Sequence, residues 1–296
     1  MNRIVPAGRG AFVLVDRDGL TGAGECSPLP GRSADMLDDD LAALMSAREV
    51  ADIPRSLPAA RFALETALLD REARARGVSV ADILAPAPAR TLSASAIVPL
   101  GGSSPATAWK VKIGRGDFAA ELAALAGMRR DLRLDVNRAW PRELAARHLA
   151  ALVPLEPAWV EEPMSAADLL LLGKQPVPIA LDESLLDQPD ESAAALDAGL
   201  VQVLVLKPAL LGGHRACLDW AARARRAGAR PVVSHLMDGP VALAAAIELA
   251  LAMARPGDPA PGLGAHDGLA AFPPLRVPQL AGQRLVSHRP GLGVMP

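Results

Sequence analysis

Short apolar runs recur along most of this chain, and five in succession end in a charged residue: Lys112, Asp135, Glu161, Asp182 and Lys207, spaced by 23, 26, 21 and 25 residues. One strand plus one helix fills such an interval. The apolar runs predict strands at 93–98, 108–113, 132–136, 158–161, 177–181, 201–206 and 231–233, with a weaker eighth candidate at 261–265. Between them, helical spacing of apolar positions predicts helices at 118–130, 142–152, 166–172, 191–198, 214–227 and 241–254. Several of the strands are apolar throughout, as expected where both faces are covered. The alternation predicts an α/β fold of the (β/α)7β TIM-like barrel type, whose reactive groups collect at the C-terminal ends of the strands. No Gly-x-Gly-x-x-Gly turn follows the first strand, so the main signal for a dinucleotide-binding sheet is missing.

The first 90 residues follow a different pattern. Residues 10–25 read as a hairpin around Asp16-Arg17-Asp18-Gly19, and Ser27-Pro28-Leu29-Pro30-Gly31 cannot continue a ladder. Helices are predicted at 34–48 and 59–76, the second with Phe62, Leu64, Ala67, Leu68 and Leu69 in its buried stripe. This predicts an N-terminal α+β capping domain over 1–90, a catalytic barrel over 91–265 and a Gly/Pro-rich tail over 266–296 that packs on cap or barrel. The loop at 25–33 is expected to close over the barrel mouth.

Composition narrows the partners. Lys plus Arg total 31 against 33 Asp plus Glu, a net charge of −2, which gives no basic field for nucleic acid. Two cysteines in 296 residues make no disulfide framework, and a reduced, cytoplasmic setting is expected. The N-terminus has no long apolar segment of the signal-peptide kind, and no uninterrupted apolar run is long enough to span a membrane. A small molecule is the expected partner, with the chain a monomer or homo-oligomer.

The charged strand ends suggest the chemistry. Lys110 and Lys112 flank Val111, and the two-residue strand period puts both ammonium groups on one face. Two such cations are expected to depress one another's pKa, which suits a base near neutral pH. Asp135, Glu161 and Asp182 each have an ordinary explanation as a helix cap or solvated charge. Together, at three consecutive strand ends and each beside an amide or a second acid (Asn137, Glu162, Glu183), they predict a site for Mg2+, with Mn2+ as an alternative. Lys207 closes the sixth run, so Lys112 and Lys207 are expected on opposite sides of whatever binds the metal. A Schiff-base barrel with Lys207 as nucleophile and a non-catalytic binding barrel are other readings of the same pattern. His235 is expected to line the mouth or pack beside it, His214 to lie on the surface at a helix N-terminus, and His148, His266 and His288 show no ligand spacing.

The segments Gly24-Glu25-Cys26-Ser27-Pro28-Leu29-Pro30-Gly31 and Ala60-Arg61-Phe62-Ala63-Leu64-Glu65-Thr66-Ala67, with the Lys-x-Lys, Asp-x-Asn, Glu-Glu-Pro, Asp-Glu-Ser and Leu-Lys-Pro elements, resemble the enolase superfamily in its muconate-lactonizing branch. Within that branch the pattern looks most like the o-succinylbenzoate synthases. The resemblance implies Mg2+ held by Asp135, Glu161 and Asp182, Lys112 as the base that removes the proton α to a substrate carboxylate, and Lys207 stabilising the enediolate from the opposite face. Lys110, Asn137, Glu183 and Ser234 would contact substrate or orient these groups. The implied activity is a lyase dehydrating a cyclohexadiene carboxylate in menaquinone biosynthesis; N-acylamino acid racemisation or dipeptide epimerisation is the alternative. The chain departs from many relatives at Ser234-His235-Leu236-Met237-Asp238-Gly239-Pro240, which is less serine-rich and carries a proline.

Overall fold

The hairpin expected near the N-terminus is two thirds of a three-stranded antiparallel sheet, β1 (Arg3–Ala7), β2 (Gly10–Arg17) and β3 (Leu20–Cys26). The computed structural model describes residues 2–28, 35–128 and 131–296. A two-residue turn joins β2 to β3, with Asp18 and Gly19 both at positive φ, as a tight right-twisted hairpin requires. Strand β2 is buried on both faces: Val13 and Val15 pack against Leu44, Ile53, Ala60 and Leu64, while Phe12 and Leu14 join the large core. Helix α1 (Asp35–Ser46) and the long α2 (Pro58–Arg76) follow, α2 opening on proline and closing on Gly77 in the left-handed conformation. A Cβ at Gly22 or Gly24 would run into the backbone carbonyls of Ala67 or Ala63, so these glycines let α2 lie directly on β3. Of the loop expected to close over the mouth, residues 29–33 lie outside the described residues.

A short helix α3 (Val80–Leu84) and strand β4 (Thr91–Ser93) lead into the α/β part of the chain. There the strands are β5 (Ala96–Ile97), β6 (Ala108–Lys112), β7 (Asp131–Asp135), β8 (Trp159–Glu161), β9 (Ile179–Leu181), β10 (Val203–Leu206) and β11 (Arg230–Val233). The helices are α4 (Phe118–Ala126), α5 (Arg142–Leu152), α6 (Ala166–Leu172), α7 (Ser184–Asp187), α8 (Pro189–Asp197), α9 (Pro208–Leu211), α10 (His214–Arg226) and α11 (Pro240–Met253). The strands β5 to β11 form one curled parallel sheet in sequence order. Strand alternation sorts their side chains. Val111, Leu134, Val160, Ile179, Leu181, Leu204 and Leu206 belong to the large outer core, while Trp159, Ala180, Val203, Val205 and Val232 form a separate cluster on the inner face.

The eighth strand expected at 261–265 is reduced to one parallel bridge, Ser234 to Gly262. That segment nonetheless spans the two edges of the sheet: the Gly262 N–H donates to the Val233 carbonyl at 2.9 Å, and the Ser95 N–H donates to the Pro261 carbonyl at 2.9 Å. Near the C-terminus β12 (Leu280–Ala281) pairs with β13 (Arg284–Val286), and β13 with β4, in a small antiparallel sheet of strands too short to leave a sequence pattern. Both cysteines are free and buried. Among the described residues, no helix is long and apolar enough to cross a membrane.

Two buried glutamates of the N-terminal part cap helices of the α/β part. Glu65 of α2 accepts from the backbone N–H groups of His214 (2.5 Å) and Arg215 (3.3 Å) at the start of α10. His214, expected at the surface, is fully buried against this carboxylate, its ring 5.4 Å from that of Phe62. Glu25 of β3 accepts from Gly239 (2.6 Å), Val241 (3.1 Å) and Ala242 (3.2 Å) at the start of α11, and from the Ser27 hydroxyl (2.6 Å). Burial, reinforced by the charge of Asp238, pushes the Glu25 carboxyl up to about 7 against the pull of these donors. Its pKa is thus higher folded than unfolded. The stability it contributes is complete below the ordinary value of 4.5 and is lost as pH rises through about 7. Thermal denaturation is expected to show wild type losing more stability than Glu25→Gln across that window, by roughly 3 kcal/mol at about 1.4 kcal/mol per pKa unit. Parallel pH profiles of the two proteins would overturn this.

Candidate active site

The sheet register brings the sequence-predicted groups to one rim. Lys112 pairs with Asp135 across β6 and β7, and Asp135 with Glu161 across β7 and β8. Glu161 pairs with Ala180, two residues before Asp182 and therefore on the same face. Lys207 follows directly on β10, where the backbone passes into α9. The three carboxylates and Lys207 are buried, whereas the Lys112 side chain is 42% exposed.

The carboxylates are already matched with cations. Lys110 Nζ stands 2.9 Å from Asp135 Oδ2 and 2.7 Å from Glu161 Oε1, bridging two strands. Lys207 Nζ donates to Asp182 Oδ2 and lies 3.3 Å from Glu183 Oε1. Burial opposes the charge on Lys110, but Glu161 and Asp135 outweigh it and raise its pKa. This corrects the expected mutual depression of the lysine pair at Lys110, where neighbouring anions, not Lys112, set the direction. Lys207 is likewise raised, burial being overcome by Asp182, Glu183 and Glu161. Lys112 is held more loosely, by a 3.3 Å hydrogen bond to Asn137 Oδ1 and a 3.9 Å approach to Asp135.

Among the described residues, no three acidic, histidine or cysteine side chains stand close enough together to hold a metal ion as placed. The donor set itself fits a hard divalent cation: three buried carboxylates on adjacent strands, with Asp182 Oδ1 buried and lacking a hydrogen-bond partner. Asp135, Glu161 and Asp182 are the residues that would hold it.

Behind these carboxylates lies a polar layer that sequence reasoning touched only in part. Glu162 Oε1 accepts from the backbone N–H of Asp182 (2.7 Å) and of Ser184 (3.0 Å), and its Oε2 from the Ser184 hydroxyl (3.0 Å) and Arg138 Nε (2.6 Å). Burial raises the Glu162 pKa against the pull of Arg138. Arg138 had no sequence signal of its own beyond its place after Asp-x-Asn. Of the six non-glycine residues at positive φ among the described residues, Asn137, Arg138, Glu162 and Met237 follow the ends of β7, β8 and β11. Backbone strain is therefore concentrated around the rim, as at functional sites elsewhere.

The departing segment after β11 packs tightly. Ser234 Oγ lies 3.3 Å from the Gly262 carbonyl, so its contact is to the bridge and not to the charged cluster. His235 stacks on His266 with ring centroids 4.0 Å apart and accepts at Nδ1 from the Met237 N–H (3.0 Å), which assigns its proton to Nε2. Burial holds His235 well below the usual histidine range, and His266, Lys110 and Lys207 add to this. Arg9, from the turn between β1 and β2, donates to the carbonyls of Leu236 and Met237.

The chain is similar to several known proteins. A family model described as enolase C-terminal domain-like matches residues 97–296. An o-succinylbenzoate synthase of Thermobifida fusca is 36% identical over 188 residues, 57% of this chain and 58% of that protein, less than two thirds of its length. An o-succinylbenzoate synthase of Enterobacter is 30% identical over 255 residues, covering 79% of this chain and 76% of the relative. An L-Ala-D/L-Glu epimerase of Escherichia coli is 28% identical over 268 residues, 81% of this chain and 82% of that one. The muconate lactonizing enzyme from Pseudomonas putida superposes with a TM-score of 0.80 at 20% identity, covering 100% of this chain and 95% of that chain, a likeness of fold. With its curled parallel sheet and the carboxylates and lysines of its rim, this chain belongs to the enolase superfamily, in the subgroup of the muconate-lactonizing enzymes.

Proposed function

We propose that this protein is a Mg2+-dependent o-succinylbenzoate synthase, dehydrating 2-succinyl-6-hydroxy-2,4-cyclohexadiene-1-carboxylate in menaquinone biosynthesis. The observation that carries the reading is the placement of Lys112 on β6 and Lys207 after β10, on either side of three buried carboxylates on β7, β8 and the end of β9. Two relatives named for this activity, at 36% and 30% identity, support it. In the same reading, the sheet and the bridging segment at 261–262 make up the (β/α)7β barrel. Residues 1–90 are its cap and 266–296 its tail.

Bound Mg2+ would supply Lewis-acid stabilisation of negative charge on the substrate carboxylate. The chain's own groups do the rest. Lys112, as the neutral amine, takes the proton from the carbon α to the carboxylate, and the C–H electron pair moves into the enediolate. Lys207 stays protonated, fixed by Asp182 and Glu183, and stabilises the developing charge from the other side. The pair then returns to expel the β-hydroxyl from the face on which Lys112 sits. Its new ammonium proton leaves with that hydroxyl as water, and the ring becomes aromatic. Lys110 stays between Asp135 and Glu161 and keeps those carboxylates from repelling each other. A Schiff-base role for Lys207 fits poorly, because three neighbouring anions hold it as the ammonium.

The test is decay of the diene's ultraviolet absorbance with purified protein and Mg2+. Rapid decay that EDTA abolishes is expected. The epimerase relative, matched over more of its length than the Thermobifida synthase, favours a second reading, racemisation of an N-acylamino acid or epimerisation of a dipeptide by the same lysines. Unchanged diene together with α-proton exchange of such a substrate in D2O would move the assignment there.

A further inference from the structure

Three carboxylates on neighbouring strands, about 4.8 Å apart by sheet spacing, must converge on one small cation. Mg2+ demands near-octahedral geometry at about 2.1 Å and tolerates little drift of its ligands. Nothing in a strand tip by itself supplies that rigidity. The structure provides a tie across all three tips. Arg138, in the loop after β7, donates from Nε to Glu162 Oε2 at 2.6 Å, from Nη2 to Ser184 Oγ at 3.0 Å and from Nη1 to Asp187 Oδ2 at 3.2 Å. Its backbone N–H also donates to the Glu162 carbonyl at 2.7 Å. Glu162 follows Glu161 directly, and its other oxygen holds the backbone N–H groups of Asp182 and Ser184. From the segment after β7, one guanidinium thus reaches the segments after β8 and β9, tying together the ends of the strands that present Asp135, Glu161 and Asp182 without touching any of those three carboxylates.

The backbone records the cost of this arrangement. Arg138 has φ 57° and Glu162 φ 45°, conformations that a long L side chain seldom adopts unless its surroundings impose them. The Glu162 side chain is fully buried, so its charge depends on a partner, and the Arg138 side chain, 29% exposed, is the cation that pairs with it. A planar fork with several donors meets three acceptors, one after β8 and two in α7, a spread that the compact ammonium of lysine does not match.

We propose that Arg138 is a positioning residue that sets the convergence of Asp135, Glu161 and Asp182, and hence the affinity of the site for a divalent cation. This rests on the metal-dependent reading given above. The test is titration of the full chain with Mn2+, free ion being read by electron paramagnetic resonance, for wild type, Arg138→Met and Arg138→Lys, with thermal melts alongside. Loss of an outer partner of metal ligands is expected to weaken Mn2+ binding about 10–100-fold in Arg138→Met, with partial recovery in Arg138→Lys. If Arg138→Met does not fold, Arg138→Lys decides, since it keeps a charge beside Glu162 but does not match the spread of all three acceptors. A lower melting temperature with Mn2+ affinity unchanged within about twofold in the folded variants would overturn the proposal and leave Arg138 a purely structural tie. Failure of wild type itself to bind Mn2+ would overturn the metal reading and this inference with it.

Discussion

Lys112→Ala is expected to lower turnover of the diene by about 10²- to 10⁴-fold, the usual contribution of a positioned general base. The effect is expected on kcat, and the fold is expected to be kept. The Lys112 side chain is 42% exposed, and its ties are one 3.3 Å hydrogen bond and one 3.9 Å ion pair, so its removal is expected to change stability by no more than about 0.5 kcal/mol. Exchange of the α-proton in D2O is expected to disappear in parallel with turnover. Exchange that persists in the variant would place the base elsewhere, with Lys207 the next group to test.

Lys207→Ala is expected to act on stability as well as on rate. Lys207 and Asp182 are both buried, and deleting one partner of a buried ion pair leaves the other uncompensated, at about 3–5 kcal/mol. Turnover is expected to fall by about 10²- to 10³-fold as charge stabilisation on that face is lost. Added Mg2+ is expected to recover part of the stability and to raise the melting temperature of the variant more than that of wild type, because in wild type an ammonium group already neutralises Asp182. Calorimetric scans of both proteins with and without Mg2+ check this. Equal Mg2+ shifts in the two would show that Asp182 is not among the groups holding the cation.

Much of this arrangement was legible because each rim residue ends its own apolar run. Asp135, Glu161 and Lys207 could be placed from spacing alone, and α5 and α6 have the predicted limits. The signal fails where an element is too short to have a period. The strands β12 and β13 have two and three residues, and the eighth strand is one bridge within Pro261-Gly262-Leu263-Gly264. It also fails where a role depends on a partner distant in sequence. Arg138 is an ordinary loop arginine until the register of β7 and β8 puts Glu162 beside it. His214 resembles a surface residue until Glu65, 149 positions earlier, is found on its backbone N–H. Strand β1 was missed because Pro6 breaks its pattern, yet at the edge of a three-stranded sheet a proline is tolerated.

The glutamates that cap α10 and α11 bear on how such proteins can be recombined. Glu65 and Glu25 each meet backbone N–H groups that helix ends cannot satisfy internally, and Gly213 leaves room for the first while Gly239 lies against the second. A chimera that keeps this α/β part but takes its N-terminal segment from another protein therefore inherits two open sockets. It is viable only if the donor segment brings a carboxylate to each, so the unit that can be exchanged between enzymes of this kind is the pair of glutamates together with the two glycines they meet.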